Sequence, residues 1–110
     1  MAQVNLSNYK NIYLQTAREY INSMFLSCDK LAINFSDREA LNNLHISSHS
    51  LKSQSQVMGF TDIANVCLNI EKISNDVLIG NSELNNEIIA NINRSVEEAK
   101  EMLKQVQHDN

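Results

Sequence analysis

Proline is absent from this chain of 110 residues, and glycine occurs only twice, at Gly59 and Gly80. These residue types most often interrupt helices and form turns, so few positions force the backbone to change direction. Alternating β-type runs are also scarce, whereas apolar residues recur at spacings of three and four along most of the chain. The sequence therefore predicts an all-α protein. Its length suffices for one core, which predicts a single domain over residues 1–110.

Clustered basic residues and long apolar runs are also lacking. The nine lysines and arginines are mixed with thirteen aspartates and glutamates, giving a formal net charge of −4. A nucleic-acid-binding surface would need its basic residues in a cluster. No apolar segment approaches the roughly 18 residues of a membrane span, and the N-terminus has no basic-then-apolar signal. We expect no nucleic-acid binding, no membrane insertion and a cytoplasmic location.

The only two cysteines, Cys28 and Cys67, lie on apolar faces of predicted helices. One disulfide between them is an alternative to two buried free thiols. The free thiols are favoured, because buried cysteines in a reducing cytoplasm behave as small apolar core residues. Their spacing has no metal-site signature.

The apolar spacing predicts four helices, joined by loops of about three to five residues and packed as an antiparallel up-down-up-down four-helix bundle. Ser36 and Glu39 match a capping box before the second helix, Gly59 suits a left-handed C-cap, and Thr61 and Ser82 are expected to cap the third and fourth helices. The expected helices run from about Ser7 to Ala32, from about Asp37 to Met58, from Thr61 to Gly80, and from Ser82 to a frayed tail at residues 107–110.

The expected core is formed by one apolar stripe from each helix. The members of these stripes are Leu14, Ala17, Ile21, Met24, Cys28 and Leu31; Leu41, Leu44, Ser48, Leu51, Ser55 and Met58; Ile63, Val66, Cys67, Ile70, Ile73 and Val77; and Ile88 or Ile89, Ile92, Val96, Ala99, Leu103 and Val106.

The second helix carries the residues that suggest chemistry. At about 100° per residue, His49 lies about 130° from the centre of the buried stripe, so its ring is expected to be reachable by a partner. His45, Lys52 and Gln56 lie on the same flank, and Ser53 is small enough to leave the imidazole uncrowded. A neutral imidazole is nucleophilic near neutral pH, which makes His49 a candidate acceptor of a phosphoryl group.

Two further residues fit this chemistry. A carboxylate that accepts the N–H of the other ring nitrogen would fix the tautomer and the ring orientation. Counting equal distances from the turn at Gly59 brings Glu71 of the third helix to the level of His49, within side-chain reach. Lys52 would offset the charge on the phosphoryl oxygens.

Each of these residues taken alone has a simpler explanation. A lone histidine, lysine or glutamate on a helix is most often a solvated surface residue, and His108 in the tail is interpreted in this way. His45 and His49, four residues apart, could also form half of a zinc site, although no third ligand is placed to complete it. The functional prediction therefore depends on His49, Lys52 and Glu71 occurring together.

The segment from His49 to Gly59 resembles the signature of histidine phosphotransfer (HPt) domains: a histidine, a lysine three residues later, a small residue at Ser53, further small residues, and a glycine ten after the histidine. The flanking sequences Met58-Gly59-Phe60, Asp62-Ile63-Ala64 and Asn69-Ile70-Glu71 are similar to the N-terminal phosphotransfer domain of chemotaxis-type histidine kinases. The resemblance covers the chain from about Tyr13 to Leu103.

By this resemblance His49 is the phosphoacceptor, Glu71 orients its ring and Lys52 is the family's lysine. Ser53 replaces the commoner glycine, and Leu68 stands where the chemotaxis kinases often carry a second histidine. The resemblance implies docking of the partner on the flank around His49. The expected docking residues are His45, Ile46, Ser53, Gln56, Val57 and Gly59.

The function that follows is a phosphorelay intermediate between a histidine kinase and a response-regulator receiver domain. We expect a monomer without a cofactor or a bound metal, with Mg²⁺ supplied by the receiver. No nucleotide-binding loop is present, so the domain is not expected to cleave ATP. Three alternatives stay open: the N-terminal domain of a larger chemotaxis-type kinase, a helical module that binds a partner without phosphorylation, and a small metalloprotein.

Overall fold

Four helices make up the computed structural model, which describes residues 6–108. They are α1 (Leu6–Ile33), α2 (Arg38–Met58), α3 (Thr61–Leu78) and α4 (Asn86–His108). Helix α1 packs against α2 and α4, and α3 packs against the same two helices. This arrangement confirms the predicted four-helix bundle.

Two side-chain contacts show that α1 and α2 run antiparallel. The Tyr13 hydroxyl lies 2.7 Å from the Ser55 hydroxyl, while Ser47 donates a hydrogen bond to Ser23 over 3.0 Å. Residues early in α1 therefore lie beside residues late in α2. Buried or half-buried serines at this interface have their hydroxyls paired, so the helices approach closely without leaving polar groups unsatisfied.

The predicted core is largely confirmed. All six stripe residues expected in α1 are buried. In α4, Ile89 rather than Ile88 is buried, and Val106 is only half-buried. The stripe of α3 is rotated slightly from the prediction: Ala64 and Ser74 are buried, whereas Val66, Ile73 and Val77 are half-buried. Helix α3 packs against both α2 and α4, so its buried face is determined by two neighbouring helices.

Both cysteines are buried free thiols in the structure. Burial raises the pKa of Cys28 to about 11 and that of Cys67 to about 12. Both side chains therefore stay protonated and unreactive at neutral pH.

Three helix starts differ from the prediction. Asp37, not Ser36, caps α2, and its carboxylate accepts a hydrogen bond from the Ala40 amide over 3.0 Å. Helix α3 begins at Thr61 itself, after Phe60, without a side-chain cap. The residue that accepts from the first turn of α4 is Asn85, whose side chain binds the Ile88 amide over 2.8 Å.

The late start of α4 has a physical reason in the loop before it. Leu84 is buried, with 8% of its surface exposed, and anchors residues 79–85 on the core. Ser82, the expected cap, therefore lies within the loop. At the other end, α4 includes Gln107 and His108, so part of the expected frayed tail is helical. The last two residues of that tail lie outside the described part of the chain.

Gly59 and Gly80 end α2 and α3 as predicted. Their φ angles are 80° and 83°, in the left-handed region that glycine enters without the steric cost of a Cβ atom. After α2, the Phe60 amide donates to the Ser55 carbonyl over 2.8 Å and the Gly59 amide donates to the Gln56 carbonyl over 3.1 Å. This pattern satisfies the last carbonyls of the helix and turns the chain directly into α3.

Candidate functional site

His49 lies near the middle of α2, on the side of the helix that faces away from the core. Leu51 and Ser48 next to it are fully buried and fix the rotation of the helix. The His49 side chain is 56% exposed. Its ring is therefore anchored by a rigid helix and open to an approaching molecule, as the helical wheel predicts.

The His49 ring is held by Glu71 of α3. Its Nδ1 atom lies 2.6 Å from Oε2 of the Glu71 carboxylate. An ionised carboxylate only accepts hydrogen bonds, so Nδ1 carries the proton in this contact. In the neutral ring, the lone pair then resides on Nε2. The contact thus selects the tautomer in which the other nitrogen is the nucleophile.

Lys52 binds the second oxygen of the same carboxylate. Its Nζ lies 2.6 Å from Oε1 of Glu71, and the side chains of Lys52 and Glu71 are only 17% and 14% exposed. Glu71 therefore connects the imidazole and the ammonium group. Partial burial alone would raise the pKa of Glu71, but the hydrogen bonds and charges of Lys52 and His49 outweigh it and lower the pKa below its ordinary value of 4.5.

Glu71→Gln is expected to lower the free energy of unfolding at neutral pH. The loss relative to the wild type should be smaller at acidic pH. Because folding lowers the pKa of Glu71, its carboxylate stabilises the native state above the ordinary carboxyl pKa, and this contribution disappears as the pH falls through the lowered pKa. The free energies of unfolding of the two proteins in urea should therefore differ most above about pH 4.5 and converge as the pH falls through the lowered pKa of Glu71. Glu98→Gln serves as the control, because it makes the same substitution at an exposed position on α4. If the difference in free energy of unfolding between wild type and Glu71→Gln did not vary with pH, Glu71 would not be an ionised carboxylate that stabilises the native state.

Ser74 is a residue of this region that the sequence analysis missed. It is fully buried, and its hydroxyl donates to the Glu71 carbonyl over 2.9 Å. The same hydroxyl lies 3.3 Å from Nδ1 of His45. Ser74 follows Glu71 by three residues, so helical spacing alone could have placed it on this face. His45, predicted as a docking residue, is half-buried and contacts α3.

The other predicted docking residues are distributed along the outer side of α2. Ile46 and Val57 are exposed by 58% and 87%, although both are large apolar residues. Gln56 is exposed and Ser53 is half-buried, while Gly59 lies at the end of the helix next to the turn. These residues flank His49 on both sides along the helix, and the contact with a partner that they were assigned stays a prediction.

The described residues lack the features of a metal site and of a membrane span. Within residues 6–108, no group of three or more histidine, cysteine or acidic side chains is placed to hold a metal ion. None of the helices in the same part of the chain combines the length and the apolar character that crossing a membrane requires.

Solved structures share this fold. The chain is similar to the CheA phosphotransferase domain from Thermotoga maritima, with a TM-score of 0.87, 20% identity, and coverage of 94% of this chain and 98% of that chain. It is also similar to a computationally redesigned four-helix bundle, with a TM-score of 0.85, 18% identity, and coverage of 90% and 97%. A protein with a redesigned hydrophobic core, solved by NMR, has a TM-score of 0.83, 19% identity, and coverage of 98% and 95%. At these identities the similarity establishes the fold alone.

The comparison with protein families identifies the family of the chain as well as its fold. No curated protein matched the chain significantly. The model of the Hpt domain family matches residues 8–109, a range that contains His49, Lys52 and Glu71 and all four helices except the first residues of α1. The chain therefore belongs to the Hpt domain family and is a histidine phosphotransfer module.

Proposed function

We propose that this protein is an intermediate in a phosphorelay, in which His49 accepts a phosphoryl group and passes it to an aspartate of a receiver domain. The observation that carries the proposal is the pairing of His49 with Glu71 over 2.6 Å while more than half of the His49 side chain is exposed. Stability alone does not explain this pairing, because exposed ion pairs stabilise a protein by only about 0–1 kcal/mol.

The chemistry of one transfer follows from the tautomer. The lone pair of Nε2 attacks the phosphorus of an aspartyl phosphate, the N–P bond forms, and the P–O bond to the aspartate breaks, which releases the carboxylate. The ring gains positive charge during this step. Glu71, which accepts the Nδ1 proton in a hydrogen bond, stabilises that charge without moving. In the reverse direction the aspartate carboxylate attacks the phosphorus and Nε2 leaves.

Lys52 has a positioning role in this proposal. Its ammonium group is bound to Glu71, one helical turn from His49. Lys52 keeps Glu71 ionised and fixed in place, and its positive charge would offset part of the negative charge of a phosphoryl group on His49. The domain needs no cofactor of its own in this scheme, because the receiver supplies Mg²⁺ and most of the charge stabilisation.

The receiver is proposed to dock on the outer side of α2 and on the neighbouring surface of α1. Tyr9, Ile12 and Val57 line an apolar groove of about 270 Å³ there, together with Ser53. The first three residues are exposed by more than half, and Ser53 lies one helical turn from His49. Exposed apolar residues in a group are typical of an interaction surface. A transient contact of modest area suits a relay, since the partners must separate after each transfer.

The proposed function also includes an oligomeric state, a location in the cell and a phosphoryl donor. We propose a monomer, because the apolar stripes of all four helices pack against each other within one chain. We also propose a cytoplasmic location, in which the two buried thiols would stay reduced. The donor is a histidine kinase or a phosphorylated receiver.

The direct test is incubation with a phosphorylated receiver or a kinase, followed by intact mass measurement. The proposal predicts a gain of one phosphoryl group that is lost on acid treatment, and loss of that group when an unphosphorylated receiver with Mg²⁺ is added. A stable bundle that binds receivers and never gains phosphate would instead support a module that acts by binding alone.

Glu71→Ala should slow transfer to His49 by roughly tenfold or more, because the ring loses the group that fixes its tautomer and orientation. The helical circular dichroism should change little, since Glu71 is outside the core. The rate is measured by rapid quenching after mixing with the phosphorylated donor. Glu98→Ala is the matched control and should transfer at the wild-type rate. A normal rate in Glu71→Ala would remove Glu71 from the mechanism.

A further inference from the structure

A second surface of the molecule combines positive charge with an apolar floor. Between α1 and α4 there is a groove of about 220 Å³, on helices other than those that carry His49 and Glu71. Arg18, Lys100 and Lys104 line it, and no acidic residue does. The floor includes Ile21 and Leu103, which are core residues with 3% and 5% of their surface exposed.

This concentration of cations is unusual for the chain. The protein has a net charge of −4 and only nine lysines and arginines, and three of these nine converge on one groove. Within residues 6–108, Arg18 and Lys100 have no carboxylate within ion-pair distance. Lys104 contacts Glu101 over 3.1 Å, but both side chains are more than half exposed, so this pair contributes little and is readily exchanged.

The geometry keeps the charges at the groove. Lys100 and Lys104 are four residues apart on α4 and repel each other mildly, a cost that a bound anion would remove. The Lys100 ammonium group lies 5.8 Å from the centre of the Phe25 ring, within the range of a cation–π contact. Phe25 therefore helps to hold Lys100 above the groove. The amide side chains of Asn22 and Gln107 complete the rim and offer further hydrogen-bond donors.

The size of the groove limits what it can hold. Pockets for drug-sized ligands have volumes of roughly 300–1,000 Å³, so about 220 Å³ is small for such a molecule. It suits one large apolar side chain that is placed against Ile21 and Leu103. Interfaces are commonly anchored by such a side chain in a pocket with charged residues around it.

We propose that the groove between α1 and α4 binds an acidic segment of a partner protein, which inserts one large apolar side chain between Ile21 and Leu103 and places carboxylates against Arg18 and Lys100. The groove shares helix α1 with the proposed receiver surface, but it uses Arg18 and Ile21 of that helix, whereas the receiver surface uses Tyr9 and Ile12. A partner bound here can therefore stay attached while a receiver docks at His49. The proposal does not depend on phosphorylation of His49.

The test uses a short fluorescent peptide that carries one phenylalanine between two pairs of glutamates. Its binding is followed by fluorescence anisotropy, and the binding site is mapped from the backbone amide shifts of isotope-labelled protein. We expect shifts around Asn22, Lys100 and Gln107 and none around His49. We also expect the affinity to fall as salt is added, because exposed charges are screened. The peptide with glutamines in place of glutamates, and the peptide with alanine in place of phenylalanine, should each bind at least roughly tenfold more weakly.

Arg18→Glu combined with Lys100→Glu should reduce the affinity by at least roughly tenfold and leave the circular dichroism and phosphoryl acceptance unchanged. Lys30→Glu combined with Lys72→Glu changes the net charge equally at exposed positions elsewhere, and should alter the affinity much less. Equal losses in both variants would reduce the effect to net charge and overturn the proposal. It would also be overturned by shifts on another face, by no detectable binding, or by binding to phosphatidylglycerol vesicles or inorganic phosphate in preference to the peptide.

Discussion

His49→Gln is expected to abolish acceptance of a phosphoryl group and to leave the fold intact. Glutamine cannot provide the imidazole lone pair, so no N–P bond forms. The His49 side chain is 56% exposed, and its loss removes no core packing. Intact mass measurement after incubation with a phosphorylated receiver should therefore give the unmodified mass, whereas circular dichroism and the melting temperature should stay close to those of the wild type.

The chain offers a matched control for this experiment. It contains three histidines, and His108 is an exposed residue at the end of α4. His108→Gln should gain the phosphoryl group at the wild-type rate. Acid-labile modification that persists in His49→Gln would place the acceptor on another residue. His45 would then be the first candidate, since it lies one turn from His49 and its ring contacts Ser74.

Leu51→Ala is expected to destabilise the protein by roughly 2–5 kcal/mol, the range measured for leucine-to-alanine changes in well-packed cores. Leu51 has no exposed surface and belongs to the continuous core that all four helices share. A domain of this size is stable by only about 5–15 kcal/mol, so this change removes a large part of its stability. The melting temperature should fall by roughly 10 °C or more.

Val57→Ala is the comparison within the same helix. Val57 is 87% exposed, and its truncation should change the free energy of unfolding by less than about 0.5 kcal/mol. Urea unfolding at neutral pH gives both values. Similar effects of the two substitutions would contradict the rotation of α2, and with it the outward direction of His49.

Periodicity in the sequence was sufficient to predict the helices and most of the core. In α1 the apolar residues recur without interruption, and each predicted stripe residue is buried. Glycines with positive φ end α2 and α3 where expected. These features depend on residues within a few positions of each other, so the local sequence contains the information that determines them.

Helix starts were predicted less well, because several neighbouring residues can cap a helix. Ser36 and Asp37 are both good capping residues, and the structure uses Asp37. Likewise, Asn85 rather than Ser82 caps α4, because Leu84 is drawn into the core and holds the preceding loop in place. Competition between adjacent caps is decided by tertiary packing, which a local pattern does not describe.

Some features of the candidate site also follow from the local sequence, whereas others depend on tertiary packing. By itself, the sequence determined that the chain forms four amphipathic helices and that His49 lies on an outer flank with Lys52 one turn away, because helical spacing sets both. Only the tertiary structure decided that Glu71 contacts His49 and Lys52 at once, that His45 contacts Ser74, and that three cations meet between α1 and α4. These contacts join residues of different helices, and their distances depend on how the helices rotate and slide against each other when the core packs.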